Sequence, residues 1–194
     1  MRIVAIADTH GNHRTIDGLP DGDVLVHAGD FTDFGSGRDD FLEWFEDQPF
    51  NHRILVLGNH EDGSLSSLSK QKLEAELEQR EPIDYIGFSP VEIDGVTFGS
   101  DAEQNLDVLV THLPPEGILD RKPPEGAWNQ SGTGRSAGSA KKRQLVEEVQ
   151  PDLHVFGHVH SAYGRTTIDG TTYVNCALAG PDYEPINDPM VIDL

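Results

Sequence analysis

The sequence predicts an α/β layer fold in which two sheets share one core. Short apolar runs rich in β-branched residues each end in a polar cluster, which is typical of buried strands. Helical patterns lie between several of these runs, and strands alternating with helices indicate an α/β arrangement. Two later pairs of runs turn at Asp94-Gly95 and Asp169-Gly170, a dipeptide that strongly indicates a hairpin. Two sheets are the simplest way to accommodate both kinds of strand.

Five buried strands and two hairpins carry this pattern. The strands are predicted over residues 2–7, 24–27, 53–57, 107–110 and 153–156. The hairpins are predicted over residues 91–93 with 96–99 and residues 165–168 with 171–174. Their length and β-branched content favour strands over buried helical segments.

Three helices are predicted between the strands. The run over residues 39–47 is amphipathic, the run over 67–80 is more polar, and the run over 139–149 ends before Pro151, which cannot continue a helix. Residues 113–135 are rich in proline and glycine, and we interpret them as a long ordered loop beside the functional site. A linker there would divide the candidate site residues between two domains.

Length and charge bound the function. The chain has 194 residues, 36% of them hydrophobic, which predicts one globular domain over residues 1–194. The formal charge of −20 repels nucleic-acid polymers and anionic membranes. No apolar run approaches the roughly 18 residues of a membrane helix, and no secretory signal pattern is present. We therefore expect a cytoplasmic protein that acts on a small substrate.

Cysteine and lysine are both scarce. The single cysteine, Cys176, excludes an internal disulfide framework and a cysteine-rich zinc site. Aspartate (20) exceeds glutamate (14), and only five of the fourteen basic residues are lysine. This composition fits a simple bias towards solubility and equally fits a halophile, in which concentrated salt screens the repulsion between acidic groups.

Five histidines, two aspartates and one asparagine lie where predicted strands end: Asp8, His10, Asp30, Asn59, His60, His112, His158 and His160. A sheet brings the ends of its strands together, so side chains distant in sequence can converge on one edge. Imidazole, carboxylate and amide ligands without thiolate suit Mn²⁺, Fe²⁺, Zn²⁺ or Mg²⁺. Eight candidates are too many for one tetrahedral ion, and two ions sharing a carboxylate would use them all.

Five short blocks carry a family resemblance. They are Asp8-x-His10, Gly29-Asp30-x-x-Asp33, Gly58-Asn59-His60-Glu61, Thr111-His112 and Gly157-His158-x-His160. In this order they resemble the signature of the calcineurin-like metallophosphoesterases. Residues 25–32, 111–120 and 153–160 and the Asn187-Asp-Pro ending resemble the metallophosphoesterase-domain-containing branch, which includes cyclic-nucleotide phosphodiesterases. The resemblance implies a four-layer α-β-β-α sandwich of two mixed sheets flanked by helices.

The resemblance also implies two metal ions, most simply Mn²⁺. One ion would be held by Asp8, His10, Asp30 and His160. The other would be held by Asp30, Asn59, His112 and His158. A hydroxide between the ions would be the nucleophile that attacks phosphorus, because paired ions acidify a shared water.

Three further residues receive roles beside the ions. His60 follows the ligand Asn59 directly and would protonate the leaving alkoxide. Asp33 would hold the ring of His60 and favour its protonated form. His13 is a weak candidate for contact with the substrate phosphate, and an exposed loop histidine is an equal alternative.

Residues outside the ligand set have plainer interpretations. His27 and His154 lie within strands and are interpreted as structural histidines. Glu61 is either a partner behind the ligands or a charge at a helix start. Trp128 either stacks on a base or packs the long loop.

The predicted activity is hydrolysis of a small or cyclic-nucleotide-like phosphodiester. The segment over residues 100–106 is shorter than the insert expected in the metallophosphoesterase-domain-containing branch. The resemblance therefore implies an altered substrate pocket in this chain, and the branch's preference for cyclic nucleotides does not carry over to it. A phosphomonoesterase or phosphoprotein phosphatase is the alternative enzyme, and a non-catalytic binding module on the same fold is the other alternative. The oligomeric state is not predicted.

Overall fold

Two β-sheets form the centre of the molecule. The computed structural model describes residues 1–62, 67–102, 106–123, 134–180 and 182–194. The strands are β1 (Arg2–Ile6), β2 (Val24–His27), β3 (His52–Leu55), β4 (Ile83–Tyr85), β5 (Val91–Ile93), β6 (Val96–Gly99), β7 (Val108–Val110), β8 (Arg121–Lys122), β9 (Arg135–Ser136), β10 (Leu153–Phe156), β11 (Gly164–Ile168), β12 (Thr171–Asn175) and β13 (Met190–Asp193). The helices are α1 (Arg38–Glu46), α2 (Asn59–Asp62), α3 (Ser67–Leu77) and α4 (Ala140–Val149), with 3₁₀ turns at His13–Thr15 and His160–Ala162.

Both sheets are mixed. The first has the order β13-β1-β2-β3-β4, in which β1 to β4 are parallel and β13 runs antiparallel to β1. The second has the order β11-β12-β10-β7-β6-β5, with parallel central strands and antiparallel pairs at both edges. Parallel neighbours bring their carboxyl ends to the same edge, and the polar blocks of the sequence follow those ends.

The two sheets pack face to face around an apolar core. In β1, Ile3 and Ala5 face the second sheet, whereas Val4 and Ile6 face the other way, as the two-residue period of a strand requires. The inner face is completed by fully buried residues of the second sheet such as Val155. The burial of each such large side chain contributes about 1.5–3 kcal/mol.

Helices cover both outer faces. On the first sheet, α1 and α3 bury Phe41, Phe45 and Leu77. On the second sheet, α4 packs Leu145 and Val146 into a separate cluster. The layers are therefore helix, sheet, sheet and helix, and the predicted four-layer fold is confirmed.

The predicted elements differ from the structure mainly at their ends. Helix α3 ends at Leu77 rather than at residue 80, and Ser139 caps α4 by accepting a hydrogen bond from the Lys142 amide at 3.3 Å. Strands β4 and β13 were not predicted, because β4 has only three residues and β13 depends on a partner at the other end of the chain. No helix among the described residues is long and apolar enough to span a membrane.

Two of the interpretations fall partly outside the described residues. The predicted loop contains the short β8–β9 ribbon, but residues 124–133, including Trp128, are not among those described. The same holds for residues 103–105 within the shortened segment 100–106.

Candidate functional site

The predicted ligands converge on the edge where the carboxyl ends of the parallel strands meet. Asp8 follows β1, Asp30 follows β2, and Asn59 begins α2 after β3. His112 follows β7, and His158 and His160 follow β10 in the second sheet. Three groups of side chains have ligand atoms close enough to hold a metal ion: Asp8 with His10 and His160, His10 with Asp30 and His60, and Asp30 with His112 and His158.

Asp8 is the centre of the first group. Its Oδ1 lies 3.3 Å from His160 Nε2 and 3.8 Å from His10 Nε2, and those two ring nitrogens are 3.3 Å apart. The other oxygen, Oδ2, accepts a hydrogen bond from the His158 amide at 2.8 Å. Asp8 thus ties the two sheets together with one oxygen and turns the other towards the imidazoles. That inward oxygen is buried without a hydrogen-bond partner, as expected for a metal ligand.

Asp30 is shared by the second and third groups, and its two oxygens likewise have different contacts. Its Oδ1 accepts a hydrogen bond from the His60 amide at 2.8 Å. Its Oδ2 lies 3.2 Å from His112 Nε2 and 3.9 Å from His60 Nε2. His112 Nε2 is also 3.1 Å from Asn59 Oδ1. Asp30 belongs to the second and third of these groups and His10 to the first and second, so these two residues link all three.

Backbone carbonyls fix the ring orientation of two histidines. His112 Nδ1 is 2.9 Å from the carbonyl of Ala28, and His160 Nδ1 is 3.2 Å from the carbonyl of Gly180. When Nδ1–H donates to a carbonyl, Nε2 is left with a lone pair facing the cluster. The donor set and its orientation therefore fit divalent cations of the harder or borderline kind.

The loops after β3 and β10 can place their side chains at the site because their backbones lie very close to Asp30 and Asp8. A Cβ on Gly58 would collide with the backbone and carboxylate of Asp30, lying 2.9 Å from its Cγ. A Cβ on Gly157 would lie 2.6 Å from the Ala7 side chain and would also collide with the Asp8 carboxylate. Glycine at these two positions lets the loops of β3 and β10 lie against the aspartates.

Four of the predicted ligands have left-handed backbone conformations. The φ angles are 56° for Asp8, 44° for His10, 56° for Asp30 and 68° for His158. Each such residue costs on the order of 1–3 kcal/mol, a cost found mainly at functional sites. The sharp turns aim each side chain back over the strand end from which it comes.

The charges in the site are strongly coupled. Burial opposes the ionisation of Asp30, but the hydrogen bond and the attraction of His112 outweigh burial and hold the pKa of Asp30 well below its usual range. Burial likewise opposes the protonation of His112, yet Asp30 raises the pKa of His112 to about 9. Burial lowers the pKa of His10 and of His158 to about 4, so both rings are neutral near pH 7. A cation at Asp30 would displace the His112 proton, so metal binding would release protons.

Glu61 holds the loops that carry the ligands. It is buried and accepts hydrogen bonds from the amides of Asp30, Thr32 and Gly58 at 2.9–3.0 Å. Of the two interpretations of the sequence, the structure supports the partner behind the ligands. Burial raises the pKa of Glu61, with Asp30 adding to the effect.

His60 joins the cluster, but the partner predicted for it does not. Asp33 is exposed, and His60 Nδ1 is buried without a hydrogen-bond partner, so the predicted contact between them is absent. The ring of Phe34 instead stacks on His60 at 3.9 Å between centroids. Left-handed φ angles at Asp30 and Phe34 turn the loop so that Phe34, not Asp33, faces the histidine.

His13 is a structural residue. Its side chain is almost fully buried, with Nε2 2.9 Å from the Asp40 carboxylate and the ring against Phe41 and Trp44. It docks the first 3₁₀ turn onto α1, and the suggested phosphate contact is wrong. His27 and His154 are structural as well, since both are fully buried and contact the hydroxyls of Thr9 and Thr111.

Two exposed aromatic rings border the cluster and were missed by sequence reasoning. Besides Phe34, the ring of Tyr183 lies 4.6 Å from that of His10 and 5.5 Å from that of His160. No periodicity or motif marks either residue, because both follow turns and only the tertiary structure brings them beside the histidines.

A cavity of about 270 Å³ adjoins the other side of the cluster, at Asn59 and His112. Its far wall includes Tyr85 and the lysines Lys70 and Lys142. Lys70 is paired with Asp62 at 3.0 Å, and burial lowers the pKa of Lys142. The volume is just below the roughly 300–1,000 Å³ of ordinary ligand pockets, which suits one small substituent.

Comparisons with known proteins agree with this site. The sequence profile of the family described as calcineurin-like phosphoesterase matches residues 1–162. Metallophosphoesterase domain-containing protein 1 of Homo sapiens is 32% identical over 238 aligned residues, covering 100% of this chain and 71% of the human protein. A UPF0046 protein of Caenorhabditis elegans is also 32% identical and covers 91% of this chain and 69% of its own length.

One solved structure shows the likeness of fold. The phosphopantetheinyl hydrolase of Mycobacterium tuberculosis superimposes with a TM-score of 0.67, covering 93% of this chain and 90% of that protein. Only 15% of the residues are identical, so this likeness concerns the fold alone.

Proposed function

Because the chain belongs to the calcineurin-like phosphoesterase family, we propose that it is a dinuclear metal-dependent phosphodiesterase acting on a small diester. The observation that carries the proposal is that Asp30 lies in two groups of potential ligands at once, with His10 and His60 in one and with His112 and His158 in the other. A carboxylate in this position can bridge two ions about 3.5–4 Å apart.

The residues divide into two ligand sets that share Asp30. Asp8, His10, Asp30 and His160 would hold one ion. Asp30, Asn59, His112 and His158 would hold the other. We propose Mn²⁺ for both, with Fe²⁺, Zn²⁺ and Mg²⁺ as alternatives that suit the same ligands. When bound, the pair of ions would lower the pKa of a water to supply hydroxide and would stabilise negative charge on the phosphoryl oxygens.

We propose that His60 serves the leaving group rather than a metal ion. Its amide donates to Asp30 Oδ1, and its Nε2 lies 3.9 Å from Asp30 Oδ2, within the group that it forms with His10 and Asp30. In this role His60 would donate a proton to the leaving oxygen, a step typically worth about 10²–10⁴-fold in rate. Its partner is the ring of Phe34 rather than the carboxylate of Asp33.

Charge and shape support a diester over a monoester. Among the described residues, no lysine or arginine forms an ion pair with Asp8 or Asp30. Of the two lysines that line the adjoining cavity, Lys70 is neutralised by Asp62 and burial disfavours the charge of Lys142, so the surplus positive charge that a dianionic monoester would need is small. The cluster also has room on two sides, with the cavity beside Asn59 and the aromatic rings beside His60. A diester has substituents to fill both. The net charge of −20 favours a small substrate over a nucleic-acid polymer.

The test compares bis-p-nitrophenyl phosphate with p-nitrophenyl phosphate. The protein is stripped with a chelator and reloaded separately with each of the four metals in molar KCl. We expect metal-dependent turnover that favours the diester and that falls by on the order of 100-fold or more in Asp30→Asn, together with metal content. Asp17→Asn, an exposed position away from the cluster, is the matched control. A preference for the monoester would refute the substrate class, and bound metal without any turnover would favour a binding module.

A second variant separates His60 from the ligands. His60→Gln should lower kcat by about 10²–10⁴-fold while metal content stays at the wild-type level. His52→Gln is the control for the loss of an imidazole. His52 is half-exposed at the start of β3, and its Nδ1 lies 3.8 Å from the Asp84 carboxylate of β4. An equal loss of metal and activity would reassign His60 as a ligand.

A further inference from the structure

Two aromatic rings at the edge of the metal-ligand cluster neither bind metal nor transfer a proton in the proposed function. Phe34 stacks on His60 with an interplanar angle of 24°, and its side chain is 65% exposed. Tyr183 is 46% exposed, and its ring centroid lies 6.0 Å from that of His60. Large aromatic side chains are normally buried, so two exposed rings around one histidine need an explanation.

Hydrogen bonds between side chains and the backbone hold the turns that carry both rings. The φ angles are 48° for Phe34 and 62° for Tyr183, a conformation that bulky residues adopt only at a cost. The Gly35 amide donates to the Thr32 hydroxyl at 3.0 Å, which fixes the turn around Phe34. Asn12 Nδ2 donates to the Tyr183 carbonyl at 2.9 Å and fixes the second turn. The fold thus maintains strained turns whose effect is to present aromatic surface at the site.

We propose that Phe34 and Tyr183 form a substrate subsite for an aryl or heteroaryl group attached to the leaving oxygen of the diester. The inference rests on the proposed function, because it takes His60 as the proton donor to that oxygen. Atoms attached to the leaving oxygen would lie next to His60. Phe34 at 3.9 Å, the candidate ligand His10 at 4.4 Å and Tyr183 at 6.0 Å border the His60 ring, so Phe34 and Tyr183 are bordering rings outside the ligand set. One face of Phe34 is covered by His60, and its high exposure leaves the rest of the ring, including the edge beside His60, open to a planar ligand.

The chemistry of the two rings selects a planar group over an aliphatic one. Aromatic rings attract each other in stacked and edge-to-face arrangements, by about 0.5–1.5 kcal/mol beyond the area they bury. A saturated ring of the same size buries similar area but lacks this term. Tyr183 already contacts His10 and His160 nearly perpendicular to their planes, at 86° and 90°, so the same mode is available to a ligand.

The test measures binding rather than turnover, using two monoanionic ligands with the same head. Methyl phenylphosphonate and methyl cyclohexylphosphonate each carry their ring on a P–C bond and are titrated calorimetrically into the Mn²⁺-loaded protein. We expect the phenyl ligand to bind about three- to tenfold more tightly than the cyclohexyl ligand. Phe34→Leu should bring this ratio close to one, and Tyr183→Leu should reduce it. Phe88→Leu, another exposed phenylalanine, which packs against Tyr85, should retain the wild-type ratio.

The same preparations separate the subsite from the proposed function. Each variant is also assayed for melting temperature, metal content and hydrolysis of bis-p-nitrophenyl phosphate, so a misfolded variant is recognised. Equal affinity for the two ligands in the wild type, an unchanged ratio in Phe34→Leu, or no detectable binding of the phenyl ligand would overturn the subsite. A preference for the phenyl ligand that is lost in Phe34→Leu would support the subsite. If the wild-type protein showed this preference but hydrolysed no bis-p-nitrophenyl phosphate, only the proposed phosphodiesterase activity would be refuted.

Discussion

The closest backbone approach in the site gives a sharp test of how the ligands are positioned. Gly58→Ala adds one methyl group that would lie 2.9 Å from Asp30 Cγ and closer still to its backbone nitrogen and Oδ1. Carbon atoms prefer a separation of about 3.5–4.0 Å, so Asp30 or the loop carrying Asn59 must move by at least about 0.6 Å. A displacement on the order of 1 Å costs about 100-fold in rate when reacting groups are otherwise aligned. We therefore expect turnover to fall by about two orders of magnitude.

Metal titration and kinetics together check this expectation. Mn²⁺ affinity, measured calorimetrically on chelator-stripped protein, should fall together with kcat. The added methyl group displaces Asp30, which belongs to two of the three groups of potential ligands. Gly170→Ala is the control for adding a methyl group, since a Cβ there meets open space in the β11–β12 turn. Gly170 has a φ of 95°, whereas Gly58 is not among the glycines with positive φ, so the expected loss at Gly58 comes from the collision alone. Wild-type metal affinity and kcat in Gly58→Ala would refute the argument that close approach of the two loops sets the geometry.

Three further predictions concern stability. Burial lowers the pKa of His154 to about 3, so below its unfolded pKa the unfolded chain binds a proton that the folded protein does not, and stability falls as pH falls. The free energy of unfolding of the wild type should therefore fall between about pH 7.5 and about pH 5.5, and in His154→Gln this fall should be smaller by about 1.4 kcal/mol. Urea unfolding with chelator present measures the difference, and the same pH dependence in both proteins would contradict the prediction. Ser139→Ala removes the cap of α4 and should cost about 1 kcal/mol in the same assay, with the exposed Ser89→Ala as a control. Molar KCl should raise the melting temperature, because it screens repulsion within a chain of charge −20; a melt indifferent to salt would count against this.

The sheets were predictable wherever a strand carries its own signal. Strands β2 and β10 begin and end as predicted, because each is a short β-branched run that ends in a polar block. The Asp94-Gly95 turn fixed the β5–β6 hairpin in the same local way. Strand β13 could not be found from its own residues, since pairing with β1 across almost the whole chain makes it a strand.

The candidate ligands were predictable for a related reason, and their neighbours were not. Blocks such as Gly157-His158 combine a chemically distinctive side chain with a glycine that permits close approach, and both features are written in the sequence. The pairing of Asp33 with His60 was inferred from spacing and is wrong, because the backbone turn at Phe34 decides which side chain faces the ring. The role of Glu61 stayed open until its three amide donors were known.

By itself the sequence determined the α/β class, the polar blocks that follow the strands and the residue types able to bind divalent ions, because strand periodicity, turn preference and ligand chemistry are properties of short segments. Only the tertiary structure decided that His13 is structural, that Asp30 faces two ligand groups and that Phe34 and Tyr183 flank His60. These are contacts between segments distant in the chain. They depend on the packing of two sheets and on left-handed turns at single residues, which no local pattern specifies.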